Sequence, residues 1–221
     1  HSEMFPLINT TEENPLLLFQ IWLNLPAASK NVEPYFGMMW NEKIPVVSAQ
    51  DNEGKHIQIK LIAGNYKDTK ALAPAPDSWA ANPENGINIW LISLEPEATF
   101  TLPKGATGAN RSLYFYEGEM LYAEEFEIPP MHQIKADPTE ELVLKNGNQK
   151  AQLLHLEGKP INEPVVKHGP FVGNTRKDIE TAFMNYQQTQ FGGWPWDSHE
   201  HTHAADRGRF ALFPDGNLQK P

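Results

Sequence analysis

Histidines are the side chains in this sequence whose type and spacing point most directly to chemistry. Three of them alternate in the run His199-Glu-His-Thr-His203. In an extended backbone, alternate residues lie on one face, and imidazoles grouped in this way capture zinc or nickel. Two interpretations stay open for this run. It is either a functional metal site or an exposed loop that binds metals adventitiously, and the second is favoured.

The other candidates for catalysis are isolated along the chain. His155 lies in an apolar segment and is predicted to be a hydrogen-bonded core histidine rather than a ligand, and His168 is predicted to fix a turn. The sequence has no cysteine, which excludes disulfides, thiolate metal sites and cysteine nucleophiles. No serine lies in a nucleophile-elbow context, and no glycine-rich phosphate loop precedes a helix. The sequence therefore supports no nucleophile.

Composition restricts the partners of the protein. The 221 residues include 18 Lys and Arg against 28 Asp and Glu, a net charge of −10. That charge repels phosphate backbones and anionic lipid surfaces, so we expect neither nucleic acid nor a membrane as a partner. The absence of cysteine favours a cytoplasmic location. The chain starts with His1 rather than Met, which indicates a processed or cut start.

The elements that must position these residues are mainly strands. Short β-rich segments separated by turn residues predict an antiparallel sandwich or barrel. One helix is predicted after Asn174-Thr175, because Ile179, Ala182, Phe183 and Tyr186 follow a helical spacing. Residues 191–221 show no periodicity and are predicted to form an extended arm. The predicted strands are 16–23, 57–62, 87–94, 98–102, 112–116, 120–123, 141–144 and 151–156.

Several segments, spread over the whole chain, resemble bacterial proteins of the pirin family. They are His1-Ser-Glu-Met4, Leu18-Phe-Gln-Ile-Trp-Leu-Asn-Leu-Pro26, Pro76-Asp-Ser-Trp79, Gly158-Lys-Pro-Ile-Asn-Glu-Pro164, His168-Gly-Pro-Phe-Val172 and Phe191-Gly-Gly-Trp-Pro-Trp196.

This resemblance implies an all-β bicupin, built from two double-stranded β-helix barrels. The first barrel is expected to be incomplete in this chain, with a C-terminal helix and an extended arm after the second. The predicted segments are 1–50 for the remainder of the N-terminal cupin and linker, 51–172 for the C-terminal cupin, and 173–221 for the helix and arm. An incomplete barrel exposes open strand edges, so we expect aggregation or domain swapping unless a companion fragment pairs with it.

The resemblance also implies a non-haem iron held by three histidines and one glutamate. The last two ligands of the family match His1 and Glu3, and the first two belong to an earlier His-x-His strand. Imidazole and carboxylate suit Fe(II), and alternate strand residues share a face. Two ligands alone hold iron weakly, so tight binding is expected only when the missing strand is supplied. In a different interpretation, His1 is a ragged fragment end or, much less favoured, a copper-binding N-terminus.

The second cupin is predicted to hold no metal. Alignment on Tyr114-Phe-Tyr-Glu-Gly-Glu119 places Gly105, Thr107 and Arg111 at the positions of the usual ligands. Glycine has no side chain, a neutral threonine hydroxyl is a poor ligand, and arginine is a fixed cation.

Two functions from different classes follow from the resemblance. The first is an iron-dependent dioxygenase acting on flavonols such as quercetin, in which Glu3 serves both as metal ligand and as catalytic base. The second is a regulatory module that binds a protein partner according to its iron state, without turnover. The expected partners are a small aromatic substrate, the N-terminal segment of the same protein and a regulatory protein.

Overall fold

The computed structural model describes residues 3–194, 196–203 and 205–221. The chain divides into two compact units. Unit 1 comprises residues 1–38 and 162–221, and unit 2 comprises residues 39–161. These bounds differ from those of the three segments predicted from the sequence, whose assignment as domains stays a prediction.

Strands dominate unit 2, whereas the strands of unit 1 have only two or three residues each. A single longer helix, α1 (Arg176–Thr189), and short 3₁₀ turns complete the described ranges. In chain order the strands are β1 (Phe5–Pro6), β2 (Val46–Gln50), β3 (His56–Ala63), β4 (Asn65–Tyr66), β5 (Thr69–Lys70), β6 (Asn88–Leu94), β7 (Thr99–Leu102), β8 (Asn110–Glu117), β9 (Leu121–Ala123), β10 (Phe126–Ile128), β11 (His132–Ala136), β12 (Leu142–Asn146), β13 (Ala151–Gly158), β14 (Val166–His168), β15 (Phe171–Gly173), β16 (Thr202–His203), β17 (Ala211–Leu212) and β18 (Leu218–Gln219). The 3₁₀ turns are Ala27–Ser29, Trp79–Ala81, Pro83–Asn85, Gln190–Gly192 and Ala205–Arg207.

Unit 2 is built from two antiparallel sheets around one core. The six-stranded sheet has the order β11-β8-β13-β6-β3-β2, and the four-stranded sheet has the order β10-β9-β12-β7. One continuous apolar cluster includes residues of both sheets, such as Ile92 from the larger sheet and Leu144 from the smaller one. The all-β cupin architecture expected from the resemblance is confirmed for this unit.

Alternating hydrophobicity explains why these segments form strands. In β3, Ile57, Ile59 and Leu61 are buried, while Gln58 and Lys60 between them are not. Successive side chains of a strand point to opposite faces, so this pattern turns one face to the core. Seven of the eight predicted strand segments lie on observed strands to within about two residues.

The strand predicted for residues 16–23 is wrong. This stretch has no regular secondary structure, and Leu16, Leu17 and Trp22 are each more than 60% exposed. Its branched and aromatic residues have the composition of a strand, but composition alone does not supply a neighbouring strand. Trp22 is therefore not a core residue, whereas Trp90 of β6 is buried.

Unit 1 contains the predicted helix. Thr175 caps α1 through a reciprocal capping box with Asp178, and Ile179 is the buried residue of the helix. The ring of Phe171 in β15 packs against the ring of Phe183, with 4.7 Å between their centroids. The arm after α1 contains the β17–β18 hairpin. Within the described ranges, no helix has the length and apolar character needed to cross a membrane.

Candidate functional site

A polar layer lies at one end of the barrel interior of unit 2. The inward face of β13 carries Leu153, His155 and Glu157, of which the last two are the polar members. In the sheet register, Glu157 stands opposite Asn88 of β6 on one side and Arg111 of β8 on the other. Three neighbouring strands therefore contribute polar side chains to the same layer.

Arg111 and Glu157 form a buried ion pair in this layer. Arg111 Nε donates to Glu157 Oε2 at 2.6 Å, and each side chain is 1% exposed. The other two guanidinium nitrogens donate to backbone carbonyls, Nη2 to Pro103 at 2.7 Å and Nη1 to Glu140 at 3.1 Å. Asn88 Nδ2 donates to Glu157 Oε1 at 3.2 Å. Both buried charges are thus compensated by specific partners, which is the condition for tolerating them.

Glycines let the polar layer close tightly. A Cβ atom on Gly105 would stand 2.1 Å from Glu157 Oε1, and one on Gly64 would stand 2.1 Å from Asn88 Oδ1. Gly64 also has a φ of +82°, a conformation that side-chain-bearing residues rarely adopt. The carboxylate and the amide therefore occupy the space that side chains at these two positions would take.

His155 is a core residue, as predicted, but the predicted hydrogen bond is missing. Its side chain is 1% exposed, and within the described structure neither ring nitrogen has a hydrogen-bond partner. Its ring packs on Trp90, with 4.7 Å between the centroids. Burial, and secondly the charge of Arg111, lower the pKa of His155 from 6.5 to about 3. The imidazole is therefore neutral near pH 7, so its 3.9 Å approach to Glu157 Oε2 is not an ion pair.

This layer does not fit a metal ion. Arg111, one of the three residues aligned with metal ligands, points its guanidinium into the layer and saturates Glu157. A second cation next to a fixed guanidinium would be repelled. Of the other two aligned positions, Gly105 has no donor atom in its side chain and Thr107 is exposed.

The His-x-Glu segment lies in unit 1. His1 lies outside the described residues, and Glu3 lies just before β1. The strand β1 pairs in parallel with β16, Phe5 opposite Thr202 and Pro6 opposite His203. The amide of Phe5 donates to the carbonyl of His201 at 2.6 Å. The structure thus places Phe5 and Pro6, which lie shortly after Glu3, beside the histidine run 199–203, a pairing that no sequence pattern predicted.

Two of the three histidines of this run lie near aromatic rings. His201 lies 5.8 Å from Trp194 and His203 lies 5.8 Å from Phe210, measured between ring centroids. In the described part of the chain, no three His, Asp or Glu side chains are grouped so that they would hold a metal ion. The interpretation of this run as a functional metal site therefore gains no support.

Comparisons with known proteins agree on one family. The profile of the Pirin C-terminal cupin domain matches residues 89–192. A Pirin-like protein of Solanum lycopersicum is 29% identical over 190 residues, which are 85% of this chain and 59% of that protein. Pirin of Homo sapiens is 26% identical over 198 residues, 87% of this chain and 61% of its own length. The chain is similar to pirin-family proteins over most of its length.

A solved structure has a similar fold over most of this chain. The crystal structure of a quercetin 2,3-dioxygenase from Acinetobacter baumannii superposes with a TM-score of 0.62 at 26% identity, covering 76% of this chain and 55% of that one. The chain spans about three fifths of the length of the curated relatives it matches.

Sequence reasoning missed the partners of the polar layer. Glu157 and Asn88 were not singled out, because single polar residues in apolar strands carry no motif. The sequence did contain a signal for Glu157, because it lies two residues after His155 and four after Leu153. Alternate residues of a strand share a face, so Glu157 points inward with them. Its pairing with Arg111 depends on strand register, which a single sequence does not specify.

Proposed function

We propose that this chain carries part of the metal centre of a dioxygenase that acts on flavonols such as quercetin. The observation that carries the proposal is the Arg111–Glu157 pair. Because this pair fills the inner polar layer of the unit 2 barrel, we assign the metal to the His-x-Glu segment that the family resemblance implies. The likeness to a structure named quercetin 2,3-dioxygenase supports the reaction class.

His1 and Glu3 would hold the metal together with two histidines of a His-x-His strand from the N-terminal segment of the protein. One imidazole and one carboxylate fit Fe(II), which binds nitrogen and carboxylate donors and keeps positions open. When bound, iron supplies coordination of oxygen and of the substrate's oxygen atoms. A Glu3 carboxylate oxygen would accept the proton of the flavonol hydroxyl and hold it during turnover.

Oxygen uptake tests this function. A preparation that carries the His-x-His strand as well as this chain is loaded with Fe(II) and given quercetin under air. We expect uptake in the parent protein and at least a ~100-fold loss in Glu3→Gln, because the variant loses both a ligand and a base. Glu12→Gln makes the same chemical change nearby and should keep full activity. Equal activity in Glu3→Gln and the parent would refute the assignment of Glu3.

A second candidate function is partner binding that depends on the iron state. It is favoured by the exposed side chains of Leu16, Leu17 and Trp22, at 64%, 65% and 63% exposure. Contiguous exposed apolar patches mark protein or ligand contact surfaces. Binding of a regulatory protein that changes with iron loading, without oxygen uptake from flavonols, would favour this function over the first.

A further inference from the structure

The guanidinium of Arg111 is surrounded as a bound ligand would be. Three oxygen acceptors from separate parts of unit 2 face it: Glu157 Oε2 on β13, the carbonyl of Pro103 after β7, and the carbonyl of Glu140 before β12. Each nitrogen of the planar group has its own acceptor. The side chains of Arg111 and Glu157 are each 1% exposed.

We propose that the interior of unit 2 is a guanidinium-specific cation site whose resident ligand is the chain's own Arg111. The fixed cation joins the two sheets, because its acceptors lie on the larger sheet and on segments that flank strands of the smaller one. It thereby stabilises the barrel without an exchangeable ion. This inference does not depend on the proposed flavonol activity.

The geometry explains why guanidinium fits where other cations do not. A guanidinium presents its N–H groups in a rigid plane, whereas an ammonium is a compact point charge and a metal ion needs several converging ligands. The acceptors at 2.6, 2.7 and 3.1 Å match three different nitrogens of one plane. Gly105 belongs to the same site, since any side chain there would displace Glu157.

Removing Arg111 alone should lower the stability of the protein more than removing both charges of the pair. Removing Arg111 alone leaves a buried carboxylate without its counter-ion, which is far more destabilising than removing both charges. We expect the midpoint of thermal unfolding to fall by roughly 10 °C or more in Arg111→Ala. The double variant Arg111→Ala with Glu157→Gln should recover part of that loss.

Chemical rescue tests the specificity of the site. Methylguanidinium chloride at a few millimolar is added to Arg111→Ala, and the midpoint of thermal unfolding is compared with that in equal concentrations of sodium, ammonium or magnesium chloride. We expect a rise of several degrees with methylguanidinium and none with the other salts. The parent protein and the double variant serve as controls, and their midpoints should not respond, because the site is filled in one and uncharged in the other.

Other results would overturn the proposal. A similar rise with every cation would show a non-specific charge effect, and a rise in the double variant would show binding elsewhere. If Arg111→Ala does not fold, Arg111→Lys replaces it, since lysine keeps the charge but satisfies fewer acceptors. A midpoint of Arg111→Lys equal to that of the parent protein would then refute guanidinium specificity.

Discussion

The buried neutral imidazole of His155 should make the stability of unit 2 fall between pH 7 and pH 5. Its folded-state pKa of about 3 lies below the ordinary value of 6.5, so the unfolded chain binds a proton that the folded chain does not. Stability is therefore fully present above pH 6.5 and decreases as the pH falls below it. Only near pH 3 does the folded protein also take up the proton.

The expected size of this effect follows from the two pKa values. Between them the free energy of unfolding falls by about 1.4 kcal/mol per pH unit. At pH 5 the loss attributable to His155 is therefore about 2 kcal/mol. The interval from pH 7 to pH 5 lies above the pH at which carboxylates with a lowered pKa are protonated. Hydrogen bonds from backbone amides and from Thr139 lower the pKa values of two such groups, Asp51 and Asp137, from 3.8.

Urea unfolding at pH 7 and pH 5 measures the effect in the parent protein and in His155→Leu. Neither ring nitrogen has a partner in the described structure, so His155→Leu should have about the same free energy of unfolding as the parent at pH 7. Between pH 7 and pH 5, its free energy of unfolding should fall by about 2 kcal/mol less than that of the parent. Leu153→Val, two residues along the same face, is the matched control. It should lower stability by a similar amount at both pH values. A parent protein and His155→Leu with the same pH dependence would refute the reasoning.

Three further predictions concern the close approach at Gly64 and the start of α1. Gly64→Ala should cost about 1–3 kcal/mol more in urea unfolding than Gly54→Ala, because both have a positive φ but only the first meets Asn88 at 2.1 Å; equal losses would contradict the close approach. Thr175→Ala should destabilise α1 by about 1 kcal/mol, seen as faster amide exchange in its first turn, while Thr175→Ser should not. The backbone amides of Thr175 and Asn174 and the hydroxyl of Thr175 lower the pKa of Asp178, so the helix start should also weaken as the pH falls below 3.8.

The sequence predicted the elements whose signal is local. The alternation in β3 and the capping residue of α1 each act within a few positions, and both were found where expected. The failure at residues 16–23 has the opposite cause, because a strand requires a hydrogen-bonded neighbour that no local pattern encodes. The family resemblance supplied the cupin architecture, which alternation alone did not distinguish from other barrels.

For the candidate sites too, local residue types supported some predictions, whereas other features depend on tertiary contacts. Residue types identified Arg111 as a residue unable to bind metal, and the structure shows it engaged with Glu157. The pairing of β1 with β16 joins residues almost 200 positions apart, and it depends on tertiary contacts that a single sequence does not reveal. The roles of His1 and Glu3 as ligands remain predictions.

The iron content of the protein shows whether metal binds at the His-x-Glu segment or inside the barrel of unit 2. The preparation that carries the His-x-His strand is loaded anaerobically with Fe(II), freed of unbound metal and analysed for iron per chain. We expect about one iron per chain in the parent protein and in Glu157→Gln, and almost none in Glu3→Gln. Iron retained in Glu3→Gln but lost in a folded Glu157→Gln would contradict this expectation.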